Sequence, residues 1–213
     1  MRTHVQSLTV AAAVIVAAAG SAGRAQTADK HQPGIYLATP GASGETLVRL
    51  RGSTPDFKTK GMMKMMLTQG LSRGSFEADL AGPVADIRTP AGAVTFYFYF
   101  DPDAGQPNAS MDPIAAMSAM SGDAMPPQAR SAGDFALIEL KTSDDKRIAD
   151  MGKMGSTRPK NAVAVTVERL AQGAYKLQPK EPLRPGEYAF CFVSGTGPGG
   201  VLWDFGVDAG NTK

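Results

Sequence analysis

Short apolar segments separated by turn residues recur along the chain from residue 34 onward. Within them, aromatic or β-branched side chains often alternate with polar ones, and Gly, Pro, Asp or Ser stand between them, a pattern typical of sandwiches and barrels. The pattern predicts strands at Gly34–Thr39, Thr46–Arg51, Ser75–Leu80, Val84–Arg88, Val94–Phe100, Phe135–Lys141, Ala162–Arg169, Ala174–Gln178, Glu187–Ser194 and Val201–Val207. The expected fold class is all-β, a β-sandwich of immunoglobulin-like or similar type.

Two of these segments predict where the core lies. Residues 95–100 read Thr-Phe-Tyr-Phe-Tyr-Phe, which indicates one face in the core and the other face covered by a loop or a second sheet. In residues 187–193 the rings of Tyr188, Phe190 and Phe192 share one face, and three smaller residues share the other. Both faces of this segment are apolar, so we expect it to be a central strand.

Two stretches interrupt the β pattern. Residues 58–69 contain Met62, Met63, Met65 and Met66 and are compatible with either a short helix or a strand. Residues 101–134 are rich in Ala, Ser, Pro, Gly, Asp and Met and contain no aromatic residue. We expect this second stretch to be a long, flexible, low-complexity surface insertion between two core strands.

The first 25 residues have the three parts of a secretory signal peptide: Arg2, an apolar run over residues 8–19, and small residues at 23 and 25. Cleavage is expected before Gln26. The apolar run is shorter than the roughly 20 residues of a spanning helix, so the mature chain, 26–213, is expected to have no transmembrane segment. It is predicted to be a single β-rich domain in the periplasm or secreted from a bacterial cell.

Removing this leader changes the charge balance. It contains two of the 22 basic residues and none of the 20 acidic ones, so the mature chain is electrically neutral. Nucleic-acid binding therefore loses its usual electrostatic support, and we expect no nucleic-acid partner. The single cysteine, Cys191, excludes an intrachain disulfide, so stability is expected to come from packing.

Several short motifs occur along the mature chain. They are Gly34-Ile-Tyr36, Phe135-Ala-Leu-Ile-Glu-Leu140, the charged turn at 144–147, Tyr175-Lys-Leu-Gln-Pro179, Leu183-Arg-Pro-Gly-Glu-Tyr-Ala-Phe190 and Trp203-Asp-Phe-Gly-Val207. With these motifs, the chain resembles an uncharacterised family of exported bacterial β-sandwich proteins. The resemblance spans most of the mature chain and implies a β-sandwich-like domain without an assigned reaction, to which no catalytic residue can be transferred.

Histidine-dependent catalysis has little support in the mature chain. Its one histidine, His31, stands in a polar N-terminal stretch, while Cys191 lies between phenylalanines in a predicted strand and is expected to be a buried small side chain. Residues 195–200 match the spacing Gly-x-Gly-x-x-Gly, but a strand-like segment follows, so a hairpin turn is predicted and not a dinucleotide site. We expect no cofactor and no catalytic residue, although a hydrolase with an unidentified carboxylate pair stays open.

The methionines are the candidate metal ligands. Thioethers select Cu(I), and a Met-based site does not need deprotonated thiols. The alternative is that methionine fills irregular gaps in the core and forms adaptable contact surfaces on loops. The candidate residues are Met62, Met63, Met65, Met66, Met117, Met120 and Met125.

The sequence favours an exported, non-catalytic binding or envelope-interaction domain. Its expected contact surfaces are the 101–134 insertion and Met62–Met66, and its partner is an unknown protein or envelope component. A periplasmic protein that binds Cu(I) or another soft metal is the first alternative.

Overall fold

Two sheets, antiparallel except for one short parallel pair, contain most of the buried apolar residues that the structure describes. A computed structural model describes residues 31–41, 44–61, 66–68, 74–101, 125–126, 128–153, 156, 158–194 and 197–210. The elements are β1 Gly34–Gly41, β2 Gly44–Arg49, β3 Gly52–Ser53, β4 Asp56–Lys60, β5 Ser75–Ala81, β6 Arg88–Pro90, β7 Thr95–Tyr99, the 3₁₀ turn Ala132–Asp134, β8 Phe135–Thr142, β9 Lys146–Lys153, β10 Ala162–Val163, β11 Val165–Ala171, β12 Ala174–Pro179, β13 Gly186–Ser194 and β14 Gly197–Asp208. The predicted all-β, sandwich-like fold is confirmed.

The first sheet has the strand order β11-β12-β7-β1-β2. Strands β1 and β2 form a hairpin, in which Gly41 pairs with Gly44. Strand β7 lies between β12 and β1, and Phe96 and Phe98 project from it with no exposed surface. Burying each of these rings stabilises the fold by about 1.5–3 kcal/mol. Tyr97 and Tyr99 occupy the opposite face and are half-buried.

The second sheet has the order β3-β14-β13-β8-β9-β5-β4, with β10 added to β8 and β6 added to β14. Strands β8 and β9 pair at only two positions beside their turn, Lys141 with Ile148 and Thr142 with Arg147. Beyond the turn β9 diverges from β8. It pairs with β5 along seven positions, and residues of both strands pack on one face of β8, β13 and β14.

Strands β8, β13 and β14 therefore form a middle layer between two hydrophobic cores. Tyr188 and Phe190 face the first core, and Ala189 and Cys191 face the second core, so the predicted alternation and the central position of this strand are confirmed. The first core holds most of the aromatic rings, and the second holds mainly small or aliphatic side chains. Buried residues of the second core are Ala78, Leu80, Ala136, Ile138, Leu140, Ala149, Met151, Ala189, Cys191 and Leu202.

Three strand predictions need correction. Residues 84–87 form bends and an irregular segment, so the strand expected at Val84–Arg88 is wrong, and only β6 begins at Arg88. The sequence indicated a charged turn through Arg147, whereas Lys146 begins β9. Strand β4 was also missed, because all of its residues are exposed and most are polar.

The insertion prediction is wrong at its C-terminal end. Ala129 and Ala132 are buried, and Met125 packs against the first core, so residues from 125 onward do not lie wholly at the surface. Residues 102–124 lie outside the described residues, as does the expected leader at 1–25.

Candidate binding cleft

A polar cleft of about 500 Å³ opens where the end of β2, the short β3, the segment after β5, and strands β9 and β14 meet. Its volume lies within the range of small-molecule sites, about 300–1,000 Å³. The residues around it come from four separate parts of the chain, 48–53, 81–87, 147 and 204. They are Val48, Arg49, Arg51, Ser53, Ala81, Gly82, Val84, Asp86, Ile87, Arg147 and Asp204.

The inner wall of the cleft contains a buried ion pair. Arg147 donates through Nη1 to a carboxylate oxygen of Asp204, and Ser53 Oγ donates to the other oxygen at 2.7 Å. Arg147 also donates through Nε to the carbonyl of Gly82 at 3.1 Å and through Nη2 to the carbonyl of Ala81 at 3.0 Å. The pair thus joins β9, β14 and β3, and it fixes the segment that follows β5.

A second network stands behind this pair. Glu187 accepts hydrogen bonds from the backbone N–H of Ala85 at 2.8 Å and from Arg88 Nη1 at 2.6 Å, and its carboxylate lies 3.9 Å from Arg147 Nη1. Arg88 also donates through Nε to Asp208 at 2.6 Å. The hydrogen bond from Arg88 to Glu187, and to a smaller extent the one to Asp208, raises the pKa of the guanidinium above its ordinary value.

These charges explain the irregular backbone at residues 82–87. The backbone N–H of Gly82 still donates to the carbonyl of Asp145 at 2.9 Å, but the segment then leaves the β5 ladder. The carbonyl of Gly82 and the amide of Ala85 bond to the buried side chains of Arg147 and Glu187. The backbone N–H of Gly206 also donates to the carbonyl of Ile87 at 2.8 Å. The outer wall of the cleft is therefore held on buried charges rather than on a regular sheet.

The rim of the cleft differs from its inner wall. Arg51 and Asp86 are exposed, and neither has a hydrogen bond or ion pair with another residue in the part of the chain that the structure describes. The apolar part of the rim includes Val84, which is 58% exposed, and the half-buried Val48 and Ile87. Arg49 differs from Arg51, because its guanidinium donates to Gln32 and to the carbonyl of Pro33.

The methionine candidates that the structure describes lie outside the cleft. Met66 is in a helical turn and is 75% exposed, while Met125 is half-buried against the first core. The remaining candidates, Met62, Met63, Met65, Met117 and Met120, fall outside the described residues. Across the described residues, no group of three or more His, Cys, Asp and Glu side chains could hold a metal ion. The soft-metal hypothesis stays a prediction.

The two residues considered for nucleophilic catalysis are far apart in the architecture. Cys191 is buried in the second core, and burial raises the pKa of its thiol to about 12. His31 packs at the outer face of the first sheet, with its ring centroid 4.5 Å from that of Tyr99 and 5.6 Å from that of Tyr36. The prediction that Cys191 is a buried small side chain is confirmed. Strands β13 and β14 do form an antiparallel pair in which Ser194 pairs with Gly197, but the turn predicted at 195–200 is too long, because β14 already begins at Gly197.

The cleft residues were not recognised from the sequence, although a signal was present. Arg147 precedes Ala149 and Met151 with a spacing of two, and Glu187 precedes Ala189 and Cys191 in the same way. A charged side chain in phase with buried positions of a strand must have a partner of opposite charge. Such phasing could have identified Arg147, Glu187 and Asp204 as members of one buried network.

No family model, no curated protein and no solved structure was found to match this chain. Within the residues that the structure covers, there is also no helix with the length and apolar character needed to cross a membrane.

Proposed function

We propose that the chain is a non-catalytic binding domain that acts in the periplasm or outside the cell, and that the cleft holds its ligand. One observation carries this proposal: the buried charges of the inner wall are paired with one another, while the charges of the rim are left available. Preformed pockets with a few placed polar groups are the usual form of a ligand site.

The contacts around the inner wall favour binding over catalysis. The Ser53 hydroxyl donates a hydrogen bond to Asp204, and no imidazole is among the described residues that line the cleft. Asp86 and Asp204 both line it, as a carboxylate-pair hydrolase would require. However, both oxygens of Asp204 already accept hydrogen bonds, from Ser53 and Arg147, and the ion pair with the buried Arg147 favours a structural role for this carboxylate over one as a catalytic acid or base.

The proposed compartment depends on the predicted leader. Its test is the intact mass of the protein purified from its native host. The mass is expected to correspond to a chain that begins at Gln26, and a mass that includes residues 1–25 would contradict export by a cleaved signal peptide.

The binding proposal is tested by thermal shift with the mature domain and four classes of compound: amino acids and peptides, carboxylic acids, sugars and nucleotides. A ligand at about 100 times its Kd stabilises the folded state by ~2.7 kcal/mol, which for a domain of this size raises Tm by roughly 5–10 °C. Mass spectrometry after prolonged incubation is expected to recover the stabilising compound unchanged.

A blocked cleft supplies the matched variant. Val84→Trp places a large ring at the exposed rim without touching the ion pairs, and Leu170→Trp adds the same ring on β11, outside the cleft, where Leu170 is 48% exposed. The stabilising compound is expected to lose its effect on Val84→Trp and to keep it on Leu170→Trp. Three results would each contradict the proposal: chemical conversion of the compound, an equal shift in both variants, or no shift with any class.

A further inference from the structure

The inner wall of the cleft contributes little net charge to a ligand. Arg147 and Asp204 neutralise each other, and the Arg147 guanidinium also donates to two backbone carbonyls. Such a pair is fixed in place by the strands that it joins, and breaking it would leave an uncompensated buried charge. A ligand is therefore expected to leave this pair intact and to respond to the charges nearer the opening.

Apart from Arg49, whose guanidinium is held by Gln32 and the carbonyl of Pro33, those charges are one cation and one anion. Arg51 and Asp86 both line the cleft, both are exposed, and neither has a partner of opposite charge among the described residues. They come from different walls, since Arg51 lies in the link between β2 and β3, while Asp86 lies in the irregular segment before β6. The opening thus offers a donor for an anionic group and a separate acceptor for a cationic group.

The rest of the lining narrows the class of ligand. Val48, Val84 and Ile87 supply an apolar surface, and no described residue that lines the cleft is aromatic. Aromatic side chains are the usual stacking platform for nucleobases, so their absence from this lining disfavours a nucleotide. A nucleotide phosphate would also meet only one unpaired cation here.

We propose that the cleft binds a small zwitterion, of the class of free amino acids and short peptides, with its carboxylate on Arg51, its ammonium on Asp86 and its apolar part against Val84 and Ile87. This inference rests on the proposed function, because it names the ligand class of the same cleft. Charge-assisted hydrogen bonds at the two ends would fix the orientation of the ligand, and the apolar wall would contribute most of the buried area.

The test uses five probes that differ in their ionic ends. Leucyl-leucine is the zwitterion, N-acetyl-leucyl-leucine keeps only the carboxylate, leucyl-leucine amide keeps only the ammonium, and the acetylated amide keeps neither. Free leucine, whose two charges are close together, distinguishes an amino-acid site from a peptide site. Isothermal titration calorimetry with the mature domain at low ionic strength gives each Kd, and leucyl-leucine is expected to bind about fivefold to tenfold more tightly than either singly blocked peptide.

The variants assign each end of the ligand. Arg51→Gln is expected to bind leucyl-leucine and its amide equally, and Asp86→Asn is expected to bind leucyl-leucine and its acetylated form equally. Both side chains are exposed and have no partner among the described residues, so both variants are expected to fold normally. Matched controls are Arg169→Gln on β11 and Asp144→Asn in the turn between β8 and β9, neither of which lines the cleft.

The outcomes separate this inference from the function on which it rests. Equal affinity for all four peptides, with binding still abolished by Val84→Trp, would overturn the zwitterion and leave the binding cleft standing. Binding of none of the five probes, when a compound of another class binds in a Val84-dependent way, would do the same. If Val84→Trp binds every probe as the wild type does, the cleft is not the site and both proposals fail.

Discussion

The buried pair between Arg147 and Asp204 gives the sharpest prediction about stability. Arg147→Met removes the cation and leaves Asp204 buried with only the Ser53 hydroxyl as a partner, while Asp204→Leu leaves the guanidinium without its carboxylate. The double variant removes both charges at once. The nearest remaining carboxylate in Asp204→Leu is that of Glu187, which lies 3.9 Å from Arg147 Nη1 and already accepts a hydrogen bond from Arg88. We expect each single change to be severe and the double change to be much milder than the sum of the two.

The magnitude follows from burial. The side chains are 6% and 9% exposed, so solvent screens the pair poorly. Removing one member of such a pair costs about 3–5 kcal/mol, whereas replacing both by apolar groups is often close to neutral. The double variant still leaves the hydroxyl of Ser53 and the carbonyls of Gly82 and Ala81 without their partner, at about 1 kcal/mol each. We therefore expect a cost of roughly 3 kcal/mol for the double variant and a coupling of at least about 3 kcal/mol between the two positions.

Guanidinium unfolding monitored by tryptophan fluorescence measures this coupling. Trp203 is the only tryptophan of the chain, has no exposed surface and immediately precedes Asp204, so its emission reports loss of the structure around the pair. The matched control is the more exposed pair of Lys60 and Glu77, at 2.6 Å, in which the side chains are 62% and 17% exposed. Lys60→Met is expected to cost less than about 1 kcal/mol.

Additive costs would refute the reasoning. If the double variant is destabilised by the sum of the two single changes to within about 0.5 kcal/mol, Arg147 and Asp204 do not act as a unit. If Arg147→Met costs no more than Lys60→Met, the cleft wall is not held by buried charge.

Three further predictions concern other parts of the second sheet. Gly206→Ala is expected to lower the free energy of unfolding by about 1–3 kcal/mol, because a Cβ at this position would overlap the Arg88 guanidinium. Chemical denaturation measures this change, and an unchanged midpoint would contradict the prediction. Cys191 is expected to react with a thiol reagent only at the rate of opening or unfolding, because burial raises its thiol pKa to about 12; rapid labelling of the native protein at pH 8 would be the contrary result. Hydrogen bonds from Lys146, which has the larger effect, and from Lys58 lower the pKa of Asp79. The stability that Asp79 contributes is therefore complete above the pKa of its carboxyl in the unfolded chain and is lost as pH falls through its pKa in the folded protein. Between pH 6 and pH 2, Asp79→Asn should lose less unfolding free energy than the wild type. An equal loss in both proteins would exclude this role.

The strands that the sequence predicted well are those whose burial follows from their own side chains. Phe96 and Phe98 alternate with tyrosines in β7, and Tyr188 and Phe190 alternate with smaller apolar residues in β13, so local periodicity is sufficient. Strand β9 was missed because Lys146 and Arg147 indicate a turn when they are considered alone. The burial of Arg147 depends on Asp204, which is 57 residues away, and local periodicity does not contain that information.

The cleft could not be predicted from the sequence for a related reason. Its rim and wall combine Arg51, Asp86 and Asp204, which are brought together only because β3 and the segment before β6 both contact β14. The sequence favoured the methionine-rich stretches as contact surfaces because their composition is unusual. Composition can identify an unusual segment, but a site that combines ordinary residues from several strands requires the topology.

The middle layer of β8, β13 and β14 also protects the pairing register of these strands. A shift of β13 by one residue would move Tyr188 and Phe190 into the second core, where Ala189 and Cys191 now fit among small and aliphatic neighbours. The same shift would leave the aromatic first core with cavities. In a sheet with one solvent-exposed face, a strand that shifts its register loses one set of core contacts. In this protein, the same shift would place side chains that are too large in one core and leave cavities in the other. Because the two cores differ in side-chain size, a shift of register is penalised in both of them, and this favours the native strand alignment during folding.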